Sequence, residues 1–126
     1  MIIKSVYPVL ITRDVQKALD IFTETGFKVL HKFDGIFGSE NVSYVLGNEL
    51  NERVDIIYSK NEDDKERHSI RMNVDNLEDA MEQFAKYGYK PIHEPYENDS
   101  MKCVVLESSE HFTLMLVEHK RKDDND

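Results

Sequence analysis

Two histidines stand at matching places in a duplicated pattern, and a matched pair of imidazoles is what a shared acid–base or metal site asks for. His31 closes the run Gly26-Phe27-Lys28-Val29-Leu30-His31 and His93 closes Gly88-Tyr89-Lys90-Pro91-Ile92-His93, at a constant offset of 62. Strand parity with Phe27 and Val29 turns His31 toward a helix, so the pair reads as structural or surface histidines. His68 reads as a surface residue at the start of a strand. His111 and His119 lie beside a turn and near the chain end, with no acid, base or nucleophile next to them in sequence. The single cysteine, Cys103 in Lys102-Cys103-Val104-Val105-Leu106, has no disulfide partner and reads as a small buried apolar residue. More chemistry is on offer in residues 68–74, where Ser69, Arg71 and Asn73 alternate with Ile70, Met72 and Val74. That is a strand with one face on a helix and the other, carrying a hydroxyl, a guanidinium and an amide, on wetter surroundings.

The elements that position these residues come from a repeat, which decides the architecture before anything else. Val15-Gln16-Lys17-Ala18-Leu19-Asp20-Ile21-Phe22 matches Leu77-Glu78-Asp79-Ala80-Met81-Glu82-Gln83-Phe84, with Ala18 on Ala80, Phe22 on Phe84 and Gly26 on Gly88. Each half reads as a strand, a helix and three strands. In the first half the strands are 5–11, 27–33, 42–46 and 53–59 and the helix is 14–25, with Asp14 as N-cap and Gly26 in the left-handed closing position. Pro8 implies an edge or a bulge. Asp34-Gly35, Gly38-Ser39-Glu40-Asn41 and Gly47-Asn48 supply turns. In the second half the strands are 68–74, 89–92, 101–106 and 111–118 and the helix is 76–87, capped by Asp75 with Glu78 or Asn76 with Asp79 and closed by Gly88.

Composition sets the class. The 126 residues leave room for one domain, read as repeats at about 3–60 and 67–119, an acidic linker at 61–66 and a solvated, disordered tail at 120–126. A formal charge of −9 with no basic stripe argues against a nucleic-acid partner. No apolar run approaches the roughly 18 residues of a membrane span, and Met1-Ile2-Ile3-Lys4 does not lead into a signal-peptide core. The expectation is a cytoplasmic protein with no membrane partner.

Asp14-Val15-Gln16-Lys17-Ala18-Leu19-Asp20-Ile21-Phe22 with Gly26-Phe27, and Val74-Asp75-Asn76-Leu77-Glu78-Asp79-Ala80, set in a strand-helix-three-strand order that occurs twice, resemble the vicinal oxygen chelate superfamily. Those are the glyoxalase I, bleomycin-resistance and extradiol-dioxygenase proteins. The resemblance covers nearly all of residues 3–119. It implies an α+β fold in which two βαβββ modules form curled antiparallel sheets around a U-shaped cleft, with helices outside, and a homodimer. It also implies four ligand positions in metal-using members, which fall here on Tyr7, Asp55, Ser69 and Met115. A phenol, a hydroxyl and a thioether make a poor set for a divalent first-row ion, so the expectation is no metal, no cofactor and no catalytic residue. A one-residue slip that brought His68 onto the ligand face would turn Ile70, Met72 and Val74 into the cleft, and the alternation opposes it.

The cleft face implied by this fold carries Tyr7, Val9, Ile11, Arg53, Asp55, Ile57, Ser69, Arg71, Asn73, Thr113, Met115 and Val117, a mix of apolar surface and a few polar groups that suits a small molecule. Tyr7, Arg53, Asp55, Ile57, Ser69, Arg71 and Met115 are the expected ligand-binding residues. The competing reading is a filled cleft, with Arg53 and Asp55 paired to each other or to Arg71. The leading function is a small organic ligand bound without metal, in the manner of bleomycin-resistance proteins. The alternatives are a glyoxalase- or dioxygenase-like metalloenzyme and a structural or regulatory dimeric domain.

Overall fold

The computed structural model describes residues 2–37, 40–60 and 67–121. The proposed linker at 61–66, Gly38 and Ser39 of one turn, and residues 122–126 of the tail lie outside the described residues. The fold is α+β, with β1 (Ile3–Thr12), α1 (Val15–Thr23), β2 (Lys28–Asp34), β3 (Val42–Gly47), β4 (Arg53–Tyr58), β5 (Arg67–Val74), α2 (Leu77–Ala85), β6 (Lys90–Pro91), β7 (Tyr96–Glu97), β8 (Met101–Glu107) and β9 (Thr113–His119). The chain forms two compact units, a first of Tyr7–His68 and a second of Met1–Val6 with Ser69–Asp126.

In the first unit the strand order is β2-β3-β4-β1. β2, β3 and β4 run antiparallel, and β1 joins β4 in parallel from Val9↔Asp55 to Thr12↔Tyr58. Pro8 has no N–H to donate and falls one residue before that ladder begins. Helix α1 starts where Asp14 accepts a hydrogen bond from the Lys17 N–H at 3.2 Å, which satisfies one donor that the first helical turn cannot pair. Its apolar stripe, Val15, Ala18, Leu19 and Phe22, packs on Leu46, Val54 and Ile56.

The second unit repeats the plan in the order β5-β9-β8-β6, with β7 also on β8. β5 and β9 are parallel, from Ile70↔Leu114 to Asn73↔Val117. Asn76 is the N-cap of α2, accepting from Asp79 N–H at 3.0 Å, the second of the two capping arrangements expected. Leu77 and Ala80 pack into a core of Val74, Val104, Leu106 and Leu116. Truncating one such leucine to alanine costs about 2–5 kcal/mol, several times the roughly 1 kcal/mol of a cap, so tertiary packing decides where these short helices form.

Both helices end alike. Phe27 N–H reaches back to Phe22 O at 3.0 Å and Tyr89 N–H to Phe84 O at 3.2 Å, across Gly26 at φ +107° and Gly88 at φ +87°. This six-to-one bond over a left-handed glycine is the Schellman closure, and each is sealed by an edge-on aromatic pair, Phe22 with Phe27 and Phe84 with Tyr89. The halves diverge after it. β2 is seven residues long, whereas the strand expected over 89–92 shortens to Lys90–Pro91, and β7 appears in the connection to β8. The strand expected from His111 begins only at Thr113, because His111 sits in the hairpin turn at φ +66°.

Candidate functional site

Each unit has a sheet face that its helix does not cover, and the side chains on it are nonetheless buried. In the first, the alternation that sends Val54 and Ile56 to α1 sends Tyr7, Val9, Ile11, Ser43, Val45, Asp55 and Ile57 to the opposite face. Asp55 is fully buried there and its Oδ1 accepts the Ser43 hydroxyl at 2.6 Å, which offsets part of the cost of removing a carboxylate from water. Tyr7 and Ile57 are also buried. Arg53 is half-buried, and its Nη1 donates to Glu52 O at 3.3 Å. Its guanidinium lies across Gly47, where a Cβ would come within 2.7 Å of Nη1 and 2.6 Å of Leu30 Cδ1, so the glycine makes room for it.

The expectation that His31 faces the helix is corrected. The β2–β3 register shifts between Val29, opposite Leu46, and His31, opposite Val45. Leu46 belongs to the α1 side and Val45 to the bare side, so the extra residue, Leu30, reverses the parity of everything after it. His31 therefore shares a face with Asp55, separated from it by Val45 on the intervening strand, and it stacks on Phe33 at 5.7 Å. No sequence signal marks this bulge.

In the second unit the bare face carries a hydrogen-bonded polar chain. Arg71 is fully buried. Its Nε donates to Asn73 Oδ1 at 3.1 Å, and its Nη2 lies 2.9 Å from His119 Nε2. Asn73 Nδ2 in turn donates to Ser5 Oγ at 2.8 Å. Ser69 donates to Thr113 O at 3.0 Å and accepts from Thr113 Oγ1 at 2.9 Å. Buried Met115 lies opposite Arg71 in the ladder. The sequence reading passed over His119. Two residues beyond Val117 in the same alternation, it falls on the Met115 face, and that spacing was the available clue.

A metal does not fit this donor set. Asp55 is the one carboxylate among Tyr7, Asp55, Ser69 and Met115, and its Oδ1 already accepts the Ser43 hydroxyl. The Ser69 hydroxyl donates to the Thr113 carbonyl and accepts from the Thr113 hydroxyl. Among the described residues no three His, Cys, Asp or Glu side chains gather as ion ligands. The carboxylate of Asp55 and the ring of Tyr7 in the first unit, and the guanidinium of Arg71 in the second, are all buried on these faces.

A sequence profile of the Glyoxalase/Bleomycin resistance protein/Dioxygenase superfamily matches residues 4–116. The chain belongs to that superfamily. Solved structures agree on the fold. A methylmalonyl-CoA epimerase from Mycobacterium tuberculosis is similar with a TM-score of 0.72 at 9% identity, over 97% of this chain and 92% of the other. A hypothetical protein from Bacillus halodurans C-125 gives a TM-score of 0.69 at 13% identity, over 92% and 94%. A superfamily member from Vibrio splendidus 12B01 gives 0.57 at 14%, over 90% and 97%. Identities this low speak to fold alone. Among proteins of curated function nothing matches. No helix among the described residues is long and apolar enough to cross a membrane.

Proposed function

We propose that this superfamily member binds a small organic molecule through the helix-free faces of its sheets, without a metal ion. The observation that supports the reading is where its buried polar groups lie. Ser43, Asp55, Arg71, Asn73 and His119 are buried on those faces, whereas on the α1 side buried Thr12 stands beside an otherwise apolar core with its hydroxyl on the Asp14 N–H. A face that served only to fill space would gain stability from apolar side chains of the same volume, because burying charged groups is at best neutral. On the face of the first unit Asp55 and Arg53 would supply the polar contacts, with Tyr7 and Ile57 against the apolar body; on that of the second Arg71 and Ser69 would do so beside Met115. Binding by this route is sequestration and needs no catalytic group. The same reading takes the protein as a cytoplasmic homodimer, which light scattering at micromolar concentration tests for assembly.

A thermal-shift screen of small carboxylates, amines and aromatic compounds tests the proposal, since a ligand at about 100 times its Kd adds about 2.7 kcal/mol of stability. Arg71→Leu or Asp55→Asn, according to which face holds the hit, then has to weaken it about tenfold to a hundredfold, the loss of a hydrogen bond to a charged group. A screen with no stabilising compound favours a structural or regulatory role. A hit left untouched by both variants places the site elsewhere. One tightly held equivalent of zinc, nickel, manganese or iron in untagged protein, lost in Asp55→Asn, overturns the metal-free part.

A further inference from the structure

The repeat supplies its own control for one cavity. In the first unit Gly47 lies opposite Lys28 on β2 and Arg53 on β4, and the space beside it is filled: Leu30 Cδ1 and Arg53 Nη1 would stand 2.6 and 2.7 Å from a Cβ there. The second unit puts Glu107 opposite Lys90 on β6 and Thr113 on β9. Thr113 is far shorter than the arginine at the matching place, and Ile92, the counterpart of Leu30, is exposed just past the end of β6. Here the space is open, a cavity of about 370 Å³ lined by Lys90, Pro91, Ile92, Glu107, Ser108 and His111 among others, all within the second unit. Ser69, Arg71 and Met115 are not among its described lining residues, so it stands apart from the polar chain around Arg71. Its volume is at the lower end of the roughly 300–1,000 Å³ of small-molecule sites.

Two charges of opposite sign line it together. Lys90 and Glu107 are directly opposed in an antiparallel pair, a relationship that puts Cβ atoms about 4.5–5.5 Å apart on one face of the sheet. His111 Nδ1, 3.5 Å from Glu107 Oε1, steadies the carboxylate. The histidine holds this place at φ +66°, a left-handed conformation that favours glycine, and backbone outliers of this kind gather at ligand clamps. Ser108 Oγ accepts the Phe112 N–H at 3.1 Å, so what it can offer a ligand is its proton. Pro91 and Ile92 supply apolar wall. A simple anion entering here would meet Glu107 and a simple cation would meet Lys90, whereas a molecule that carries both charges on one carbon satisfies the two at once. We propose that this cavity binds a free α-amino acid, with its ammonium group on Glu107, its carboxylate on Lys90 and the Ser108 hydroxyl, and an aliphatic side chain against Pro91 and Ile92.

The test is an amide-shift titration of the full chain with L-leucine, carried to about 10 mM or beyond because solvated charge contacts contribute little each. The comparison probes are 4-methylpentanoate, which lacks the ammonium group, and isopentylamine, which lacks the carboxylate. Saturable shifts at Gly88, Lys90, Ile92 and residues 107–111 are expected with leucine, and binding about fivefold weaker or worse for each analogue. Glu107→Gln should weaken leucine about fivefold and erase its preference over 4-methylpentanoate, and Lys90→Met should do the same against isopentylamine. Lys90 is exposed and Glu107 half-buried, so neither change empties the core. Should Glu107→Gln disturb the hairpin, Lys90→Met decides alone. No saturable shift in this range, equal binding of leucine and either analogue, or indifference to the substitutions, as expected of two charges that only pair with each other, overturns the proposal. Shifts confined to Asp55, Arg71 and their neighbours also overturn it, and would support the reading of the helix-free faces instead.

Discussion

Nη2 of Arg71 lies 2.9 Å from Nε2 of His119, with both residues buried. A guanidinium can only donate, so the imidazole nitrogen accepts, and the ring is neutral with its proton on Nδ1. His119 thus acts as an oriented acceptor for a buried cation. His119→Leu leaves that guanidinium one acceptor short and should cost about 1.5–3 kcal/mol, whereas His119→Gln, which keeps an acceptor oxygen on a flexible stem, should recover much of the loss. Urea denaturation of both variants checks this. Equal losses would show that the ring's packing matters and its nitrogen does not.

Acid should loosen the start of the chain. Asp75 Oδ1 accepts the Ile2 N–H at 2.7 Å while Asp75 N–H donates to Ile2 O at 3.1 Å. The Ile2 N–H chiefly, with smaller contributions from the Asp75 N–H and Lys4, holds the Asp75 carboxyl below its usual range against desolvation, the second-largest effect. Lys120, at 2.7 Å, does the same for Glu97. A carboxyl lowered in the folded state contributes stability above its unfolded pKa and loses it as pH falls through the folded value. Stability should therefore fall below about pH 4, and Asp75→Asn should flatten part of that decline. Urea midpoints measured down the acid range test it, and an unchanged slope in Asp75→Asn would remove Asp75 from the account.

How far the sequence could be read is clearest at β2. Caps at Asp14 and Asn76, closures at Gly26 and Gly88 and the alternation of residues 69–74 were all legible, because each is a local preference that the tertiary structure reinforces. The bulge at Leu30 was not. Its cause is how β2 lies along β3, a nonlocal fit, and one inserted residue turned His31 and Phe33 to the other face. His119 was missed for a related reason, since its partner Arg71 is 48 positions away and only the parallel pairing of β5 with β9 brings them to one face.

The repeat also duplicates a hairpin. Asn51 at φ +62° and His111 at φ +66° occupy the same left-handed place in turns closed by Asn48 N–H to Glu52 O at 3.3 Å and Ser108 N–H to Phe112 O at 3.0 Å. Asparagine tolerates that conformation and histidine does so less well; for an ordinary L residue the cost is roughly 1–2 kcal/mol. The exposed His111–Glu107 contact at 3.5 Å offsets little of it. His111→Gly should stabilise the protein by up to about 1 kcal/mol and Asn51→Gly should be near neutral. Thermal midpoints decide, and destabilisation by His111→Gly would mean that its side chain makes contacts worth more than the strain.

His93, the sequence counterpart of His31, does a different job. Pro91 ends the β6 ladder after two residues, and Ile92 N–H makes one further bond to Val105 O at 3.1 Å. The Val105 N–H donates to His93 Nε2 at 3.1 Å, while His93 Nδ1 lies 2.6 Å from Glu94 O. Since the carbonyl can only accept, Nδ1 carries the proton and the neutral ring extends the sheet edge by standing in for a backbone acceptor. His93→Ala should therefore speed hydrogen exchange at the Val105 amide about tenfold, the equivalent of one hydrogen bond of about 1.4 kcal/mol, with little change at Cys103 or Leu106. Exchange at Val105 that matches the wild-type rate would show that the histidine does not hold this edge.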